Sequence, residues 1–271
     1  MLRSGKAACV NSIKSLTKST LGRFGYELTR RASVSHPEDY ATDFPVDFDE
    51  ETKALIKQVE PYTMTSPEKI LALREALKYI VRSKIPGDIV ECGVWRGGSI
   101  IVAAHTLLGL GHTSMHMHLY DTFEGMTKPT EVDVDFAGLS ALEDWDQNRL
   151  NPFYAPARAP IDEVKSLVFA TGYPQENFHF IKGPVEQTLP KEAPRQIALL
   201  RLDTDWYEST KHELVHLYPL LSPGGVLILD DYGHFEGARK AADEYFQEQG
   251  INVLLNRIDY SGRLAIKPLQ M

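Results

Sequence analysis

Hydrophobic positions change their period several times along the chain, and each change predicts an element. Ile70, Leu71, Leu73, Leu77, Ile80 and Val81 recur at helical spacing. Thr65 or Ser66 can cap that helix, Pro67 suits its first position, and it must end before Pro86. A shorter helix precedes it from Glu51 to Val59, broken by Pro61. Ile89-Val90 is a short apolar run, and Ile100 to Leu110 reads as an apolar helix closed by Gly109 and Gly111. Met115 to Asp121 alternates and reads as a strand, Ile161 to Ala170 as a helix and Asn177 to Ile181 as a strand. Ile197 to Leu202 and Val226 to Leu229 are nearly unbroken apolar strands. Between them Glu208 to Leu221 reads as a helix stopped by Pro223-Gly224-Gly225. Ala238 to Gln249 is a last helix, and Ile251 to Ile258 with Arg263 to Ile266 predicts a closing hairpin. Strands that alternate with helices and read apolar throughout predict an α/β protein with a mostly parallel sheet covered by helices on both faces.

Two stretches fall outside this rhythm. Residues 1–31 hold seven Lys and Arg against one acid, Glu27, in a chain whose formal net charge is −8. Apolar residues from Val10 to Leu28 sit near helical spacing there, so the stretch is either an arm for an anionic membrane or a partner chain, or a frayed tail. Residues 1–50 are expected to form this arm and an acidic linker, and 51–271 one catalytic domain. Residues 125–160 are rich in Pro, Asp and Ala with weak periodicity, which predicts a lid or binding segment inserted in that domain.

Composition narrows the classes. Hydrophobic residues make up 43% and charged residues 24%, an ordinary globular balance. The acidic total argues against a general nucleic-acid binder. The two cysteines, Cys9 and Cys92, form no metal-ligand or disulfide pattern, so a reducing compartment is expected, and with no run long enough to span a bilayer, a cytoplasmic location.

Candidate chemistry starts at Ile85 to Ser99, IPGDIVECGVWRGGS. A short strand runs into Gly93, Gly97 and Gly98 and then into a helix. Glycine lets a backbone approach a ligand closely, and a helix N-terminus offers free N–H groups. The spacing is E-x-G-x-x-x-G-G rather than the G-x-G-x-x-G of dinucleotide sites. It suits a smaller adenosine-bearing cofactor such as S-adenosylmethionine, or else it is a packing turn with no ligand. Four strands end in acid: Glu91, Asp121, Asp203 with Asp205, and Asp230-Asp231. Ligands of open α/β sheets sit at those carboxyl ends, and an acid after the second strand can hold a ribose diol. Three aspartates on neighbouring strands make a hard-oxygen site for Mg²⁺ or another divalent cation. The alternative is that one caps a helix and the others face water. Among the histidines, His105, His112, His116, His118 and His179 show no ligand pattern, and His234 is the one placed to see the acids.

IPGDIVECGVWRGGS, LYDTFEGM, FIKGPVEQTLP, LLRLDTDWYEST and LILDDYGHFEGARKAADEYF occur in the order found in the macrocin, mycinamicin and novobiocin type of sugar O-methyltransferases, which the chain resembles from Tyr62 to Asp259. The resemblance implies a class I methyltransferase fold of seven strands, S-adenosylmethionine, a divalent metal, and a sugar or glycosylated small-molecule hydroxyl as acceptor. It implies that Glu91, Gly93, Arg96, Gly97 and Ser99 line the methionine and ribose side. Asp121 would hold the ribose, Lys182-Gly183 would lie near the adenine, and Thr63 and Met64 would fold over the cofactor. Asp203, Asp230 and Asp231 would carry the metal, with Asp203 also the general base. Self-association is a further implication. The chain has Asp203-Thr204-Asp205 where the family usually has D-G-D, which leaves either acid of that pair as the ligand. Two rival readings remain at this level: a nucleotide-sugar glycosyltransferase using that D-x-D as its metal site, and a non-catalytic cofactor-binding partner domain.

Overall fold

The computed structural model describes residues 44–146 and 158–269. The basic stretch 1–31 lies outside the described residues. Helix α1 (Glu50–Val59) opens at Asp49, whose side chain accepts from the Thr52 N–H at 2.7 Å. It buries Thr52, Leu55, Ile56 and Val59, one face of a helix. Helix α2 (Pro67–Ser83) is capped by the Ser66 hydroxyl, with Pro67 at its first position, and buries Lys69, Ile70, Leu73, Arg74, Ala76, Leu77 and Ile80.

Strand β1 (Asp88–Cys92) leads through the glycine turn into α3 (Gly98–Gly109), which is buried on nearly every side. Then come β2 (Met117–Asp121), the short α4 (Ala141–Asp146), α5 (Ile161–Phe169), β3 (Phe178–Lys182) and a single turn α6 (Val185–Thr188). The chain closes with β4 (Ile197–Leu202), α7 (Tyr207–Leu217), β5 (Leu221–Leu229), α8 (Glu236–Glu248), β6 (Asn256–Arg257) and β7 (Arg263–Ile266).

The strands form one seven-stranded sheet in the order β3-β2-β1-β4-β5-β7-β6. β1 to β5 pair in parallel, and β7 is antiparallel to both β5 and β6. Alternate residues of the central strands, Val90, Cys92, Leu200, Leu202, Leu227 and Leu229, pack with Leu214 and Leu217 of α7 and with Ala242, Tyr245 and Phe246 of α8. α1, α2 and α3 pack on one another, and α2 also lies against β4 and β5. Central strands covered on both faces must be apolar at successive positions, as β4 is apart from Arg201. Among the described residues no helix is long and apolar enough to cross a membrane.

Two expectations are corrected. The helix read as reaching Leu221 ends at Leu217 in α7. A 3₁₀ turn, Tyr218–Leu220, follows it, and Pro223-Gly224-Gly225 lies inside β5. The β4–β5 register slips between Ile197 and Leu199, so the Pro-Gly-Gly stretch is taken up where the ladder is irregular. The closing hairpin is also shorter than Ile251 to Ile258 suggests, since only Asn256 and Arg257 pair. Ile251, Val253 and Leu255 keep their apolar alternation by packing against the core with no partner strand beside them.

Candidate functional site

The carboxyl ends of β1, β2, β4 and β5 open into one cavity of about 630 Å³. Local backbone geometry brings its walls together. Gly93 has φ +81°, and a Cβ there would lie 1.9 Å from the Asp203 carbonyl oxygen, so the turns after β1 and β4 stand back to back. A Cβ at Gly98 would lie 2.5 Å from Thr63 Cβ, which is why the segment carrying Thr63 and Met64 can rest on the start of α3. Asp121 Oδ2 accepts from the Val94 and Trp95 N–H groups at 2.7 and 2.9 Å, and Oδ1 accepts from Phe123 N–H at 2.6 Å. It therefore pins the glycine turn while lining the cavity, and a carboxylate keeps acceptor capacity beyond three such bonds.

Asp203, Asp230 and Asp231 each offer a carboxylate oxygen, and these oxygens lie within 4.8 Å of one another. Two buried cations sit among them. Arg201 Nη1 donates to Glu91 at 2.6 Å and to Asp203 at 2.7 Å, and Nη2 donates to Asp230 and to the Thr65 hydroxyl. Lys69 Nζ pairs with Asp230. Five acids, with Glu91 and Asp205 included, outnumber these two cations. Burial pushes Glu91 up to about 7 and Asp203 up to about 6, each against the pull of Arg201. Burial and the neighbouring acids also raise Asp205 and Asp231. Burial would raise Asp230 too, but Arg201 and Lys69 hold it below the usual carboxylate range. Burial would likewise lower Lys69, but the Asp230, Asp231 and Asp203 carboxylates raise it. One Glu91 oxygen, Oε2, is buried without a hydrogen-bond partner. A crowded hard-oxygen cluster with surplus negative charge fits a divalent cation.

The sequence-derived site residues divide into two groups. Thr63, Met64, Gly93, Ser99, Asp121, Gly183, Asp203, Asp230 and Asp231 all line the cavity, and so do Asp205 and His234. Glu91, Arg96 and Gly97 are not among the lining residues. Glu91 lies behind the wall on Arg201. Arg96 donates to Glu163 at 2.8 Å and to the Pro61 carbonyl at 2.7 Å. Gly97 caps α3, with Val164 and Val168 of α5 where its side chain would be. Lys182 pairs with Glu124 at 2.7 Å.

The sequence reading gives Arg201, Lys69 and Thr65 no place in the site, yet the first two leave a signal in the chain. Arg201 is a lone charge in an apolar strand, two residues before Asp203 and so on the same face, and Glu91 is its register partner across β1 and β4. Lys69 falls on the stripe of Leu73, Leu77 and Ile80, where a core residue belongs.

A five-stranded parallel sheet closed by an antiparallel β7, with a glycine turn and an acid rim at its carboxyl ends, is the class I methyltransferase arrangement. The sequence matches the macrocin O-methyltransferase (TylF) family over residues 23–265, and the chain belongs to that family. It is 33% identical over 201 residues to an 8-demethyl-8-(2,3-dimethoxy-alpha-L-rhamnosyl)-tetracenomycin-C 4'-O-methyltransferase of Streptomyces olivaceus, covering 74% of each chain. It is 28% identical to the mycinamicin III 3''-O-methyltransferase of Micromonospora griseorubida, over 91% of this chain and 92% of that one. The structure of the O-methyltransferase NovP matches with a TM-score of 0.68 and 28% identity, over 77% of this chain and 83% of that chain. The chain is thus an O-methyltransferase, and the glycosyltransferase and non-catalytic readings are set aside.

Proposed function

We propose that this chain transfers the methyl group of S-adenosylmethionine to a hydroxyl of a sugar or glycosylated small molecule, with a divalent cation such as Mg²⁺. The observation that carries the reading is the aspartate cluster sharing one cavity with the Gly93 turn. The sugar acceptor is supported by relatives whose names place the methyl group on a rhamnosyl tetracenomycin and on mycinamicin III.

Bound S-adenosylmethionine supplies a sulfonium methyl that needs no acid to leave its sulfur. A divalent cation supplies positive charge that makes a nearby hydroxyl easier to deprotonate. The chain's own residues do the rest. Thr63, Met64, Gly93 and Ser99 form the cofactor cradle, Asp121 offers a carboxylate to the ribose diol, and Gly183 opens space for the adenine. Asp203, Asp230 and Asp231 hold the cation. Asp203 accepts the hydroxyl proton, while Arg201 fixes its position. The walls line up oxygen and methyl and keep water out.

Manganese titrated into the protein with S-adenosylhomocysteine, followed by paramagnetic resonance, should show one bound ion per chain. Asp230→Asn should weaken that binding at least about tenfold, the loss of one charged ligand being worth more than ~1.4 kcal/mol. Methyl transfer from labelled S-adenosylmethionine to an aryl rhamnoside should stop in excess chelator and return with Mg²⁺. Undiminished transfer in chelator would remove the cation from the reading.

A further inference from the structure

Next to the acids, the cavity rim carries three rings that the reaction chemistry does not use. Phe136 lies 5.3 Å from His234 and 5.9 Å from Tyr260, and His234 lies 5.8 Å from Tyr260, centroid to centroid. Tyr260 Oη and His234 Nδ1 are 3.0 Å apart, so the patch contains a phenol and an imidazole among carbon. All three line the cavity, yet Phe136 is 67% and Tyr260 57% exposed. An aromatic cluster left open to water beside a concave site marks a place where a ligand lies.

The rings come from three separate segments, each braced. Phe136 sits on a strap tied down by bridges from Val134 to Ser140 and from Asp135 to Phe235. The Asp135 carboxylate accepts from Ala137 and Leu139 N–H at 2.8 and 2.9 Å, and the buried Asp133 accepts from Tyr207 N–H at 2.8 Å. His234 N–H donates to the Asp231 carbonyl at 2.9 Å, one turn beyond the acid cluster. Tyr260 follows Asp259, whose carboxylate accepts from Ser261 and Gly262 N–H at 3.0 and 2.6 Å. The platform is therefore built before any acceptor arrives.

We infer that Phe136, His234 and Tyr260 form the platform on which the C–H face of the acceptor's sugar ring stacks, and that this trio presents the hydroxyl edge of that ring to Asp203. The inference rests on the sugar reading above. A pyranose has the matching surface: a flat patch of C–H bonds for the rings and a rim of hydroxyls for the phenol and imidazole. The cationic side chains lining the cavity, Lys69 and Arg201, are both engaged by Asp230, so the wall does not favour an anionic ring.

The test uses p-nitrophenyl α-L-rhamnopyranoside, with p-nitrophenol as control, on the full chain with Mg²⁺. Phe136→Leu and Tyr260→Ala should each lower kcat/KM about tenfold, mainly through KM, with Phe136→Tyr restoring most of it. Affinities for S-adenosylhomocysteine and Mn²⁺ should stay within about twofold of wild type. Saturation-transfer NMR should label the sugar C–H protons of the glycoside more strongly than its aryl protons. The platform is overturned if wild type transfers methyl to the glycoside and the ring variants match it. It is also overturned if the variants lose cofactor affinity in step with activity, or if only the aryl protons are labelled. If wild type binds S-adenosylhomocysteine and Mn²⁺ but neither binds nor methylates the glycoside, the sugar reading fails and takes the platform with it.

Discussion

Arg201 donates from one nitrogen to Glu91 and Asp203 and from the other to Asp230 and Thr65. A planar fork of donors can serve several acids at once, which an ammonium cannot match. Arg201→Met should leave buried carboxylates without their counter-charge and cost about 3–5 kcal/mol of stability, read as a lower urea midpoint. Arg201→Lys should recover only part of this. Gly93 is governed by sterics rather than charge. Gly93→Ala combines a left-handed φ with a Cβ aimed at the Asp203 carbonyl. It should separate the two turns and weaken S-adenosylhomocysteine binding at least about tenfold by calorimetry, a few kcal/mol of strain being enough. Normal affinity in that variant would show that the back-to-back contact does not shape the cradle.

At the scale of elements, the helix ends carry their own pH dependence. Asp49 caps α1, and its hydrogen bonds to Thr52, with the nearby Arg74 and Lys78 charges, hold its carboxyl at about 2 against an ordinary 3.8. A depressed carboxyl contributes stability that is fully present above its unfolded value and is lost as pH falls through the folded one. The gap in urea midpoint between wild type and Asp49→Ala should therefore be constant above about pH 5 and shrink between about pH 4 and 2. A gap that stays constant to pH 2 would mean the cap acts without its charge. The strap that holds Phe136 depends on a different device. Asp133 is fully buried and ties residue 130 to the first turn of α7, so an otherwise irregular segment is anchored to the element that follows the Asp203 turn.

For the whole molecule, the parallel sheet collects acids from four strands at one rim, and burial then makes their mutual repulsion expensive. A bound dication relieves that repulsion only in the folded state, so the proposed site predicts a linkage. At Mg²⁺ about a hundredfold above its dissociation constant the protein should gain about 2.7 kcal/mol, a rise of several degrees in melting temperature. Asp230→Asn should lose most of that rise. A melting temperature indifferent to millimolar Mg²⁺ with S-adenosylhomocysteine present would count against an ion at the rim.

Residue order alone determined the alternation of strand and helix, the extent of β4 from Ile197 to Leu202, a cap at Thr65 or Ser66 ahead of α2, the glycine turn and the acids behind each buried strand. These are legible because period, capping and turn chemistry act over a few neighbouring residues. The lengths of α7 and β5 around Pro223-Gly224-Gly225 were not, since a ladder partner at Ile197, far away in the chain, decides whether that stretch is strand. Nor was the division between Gly93 or Asp121, which line the cavity, and Glu91, Arg96 or Gly97, which stand outside its lining. The Arg201 and Lys69 cations within the acid cluster, and the three rings at the rim, likewise come from segments far apart in sequence. Only the packing of the sheet against α2 and the closing loops brings those side chains within reach of one another.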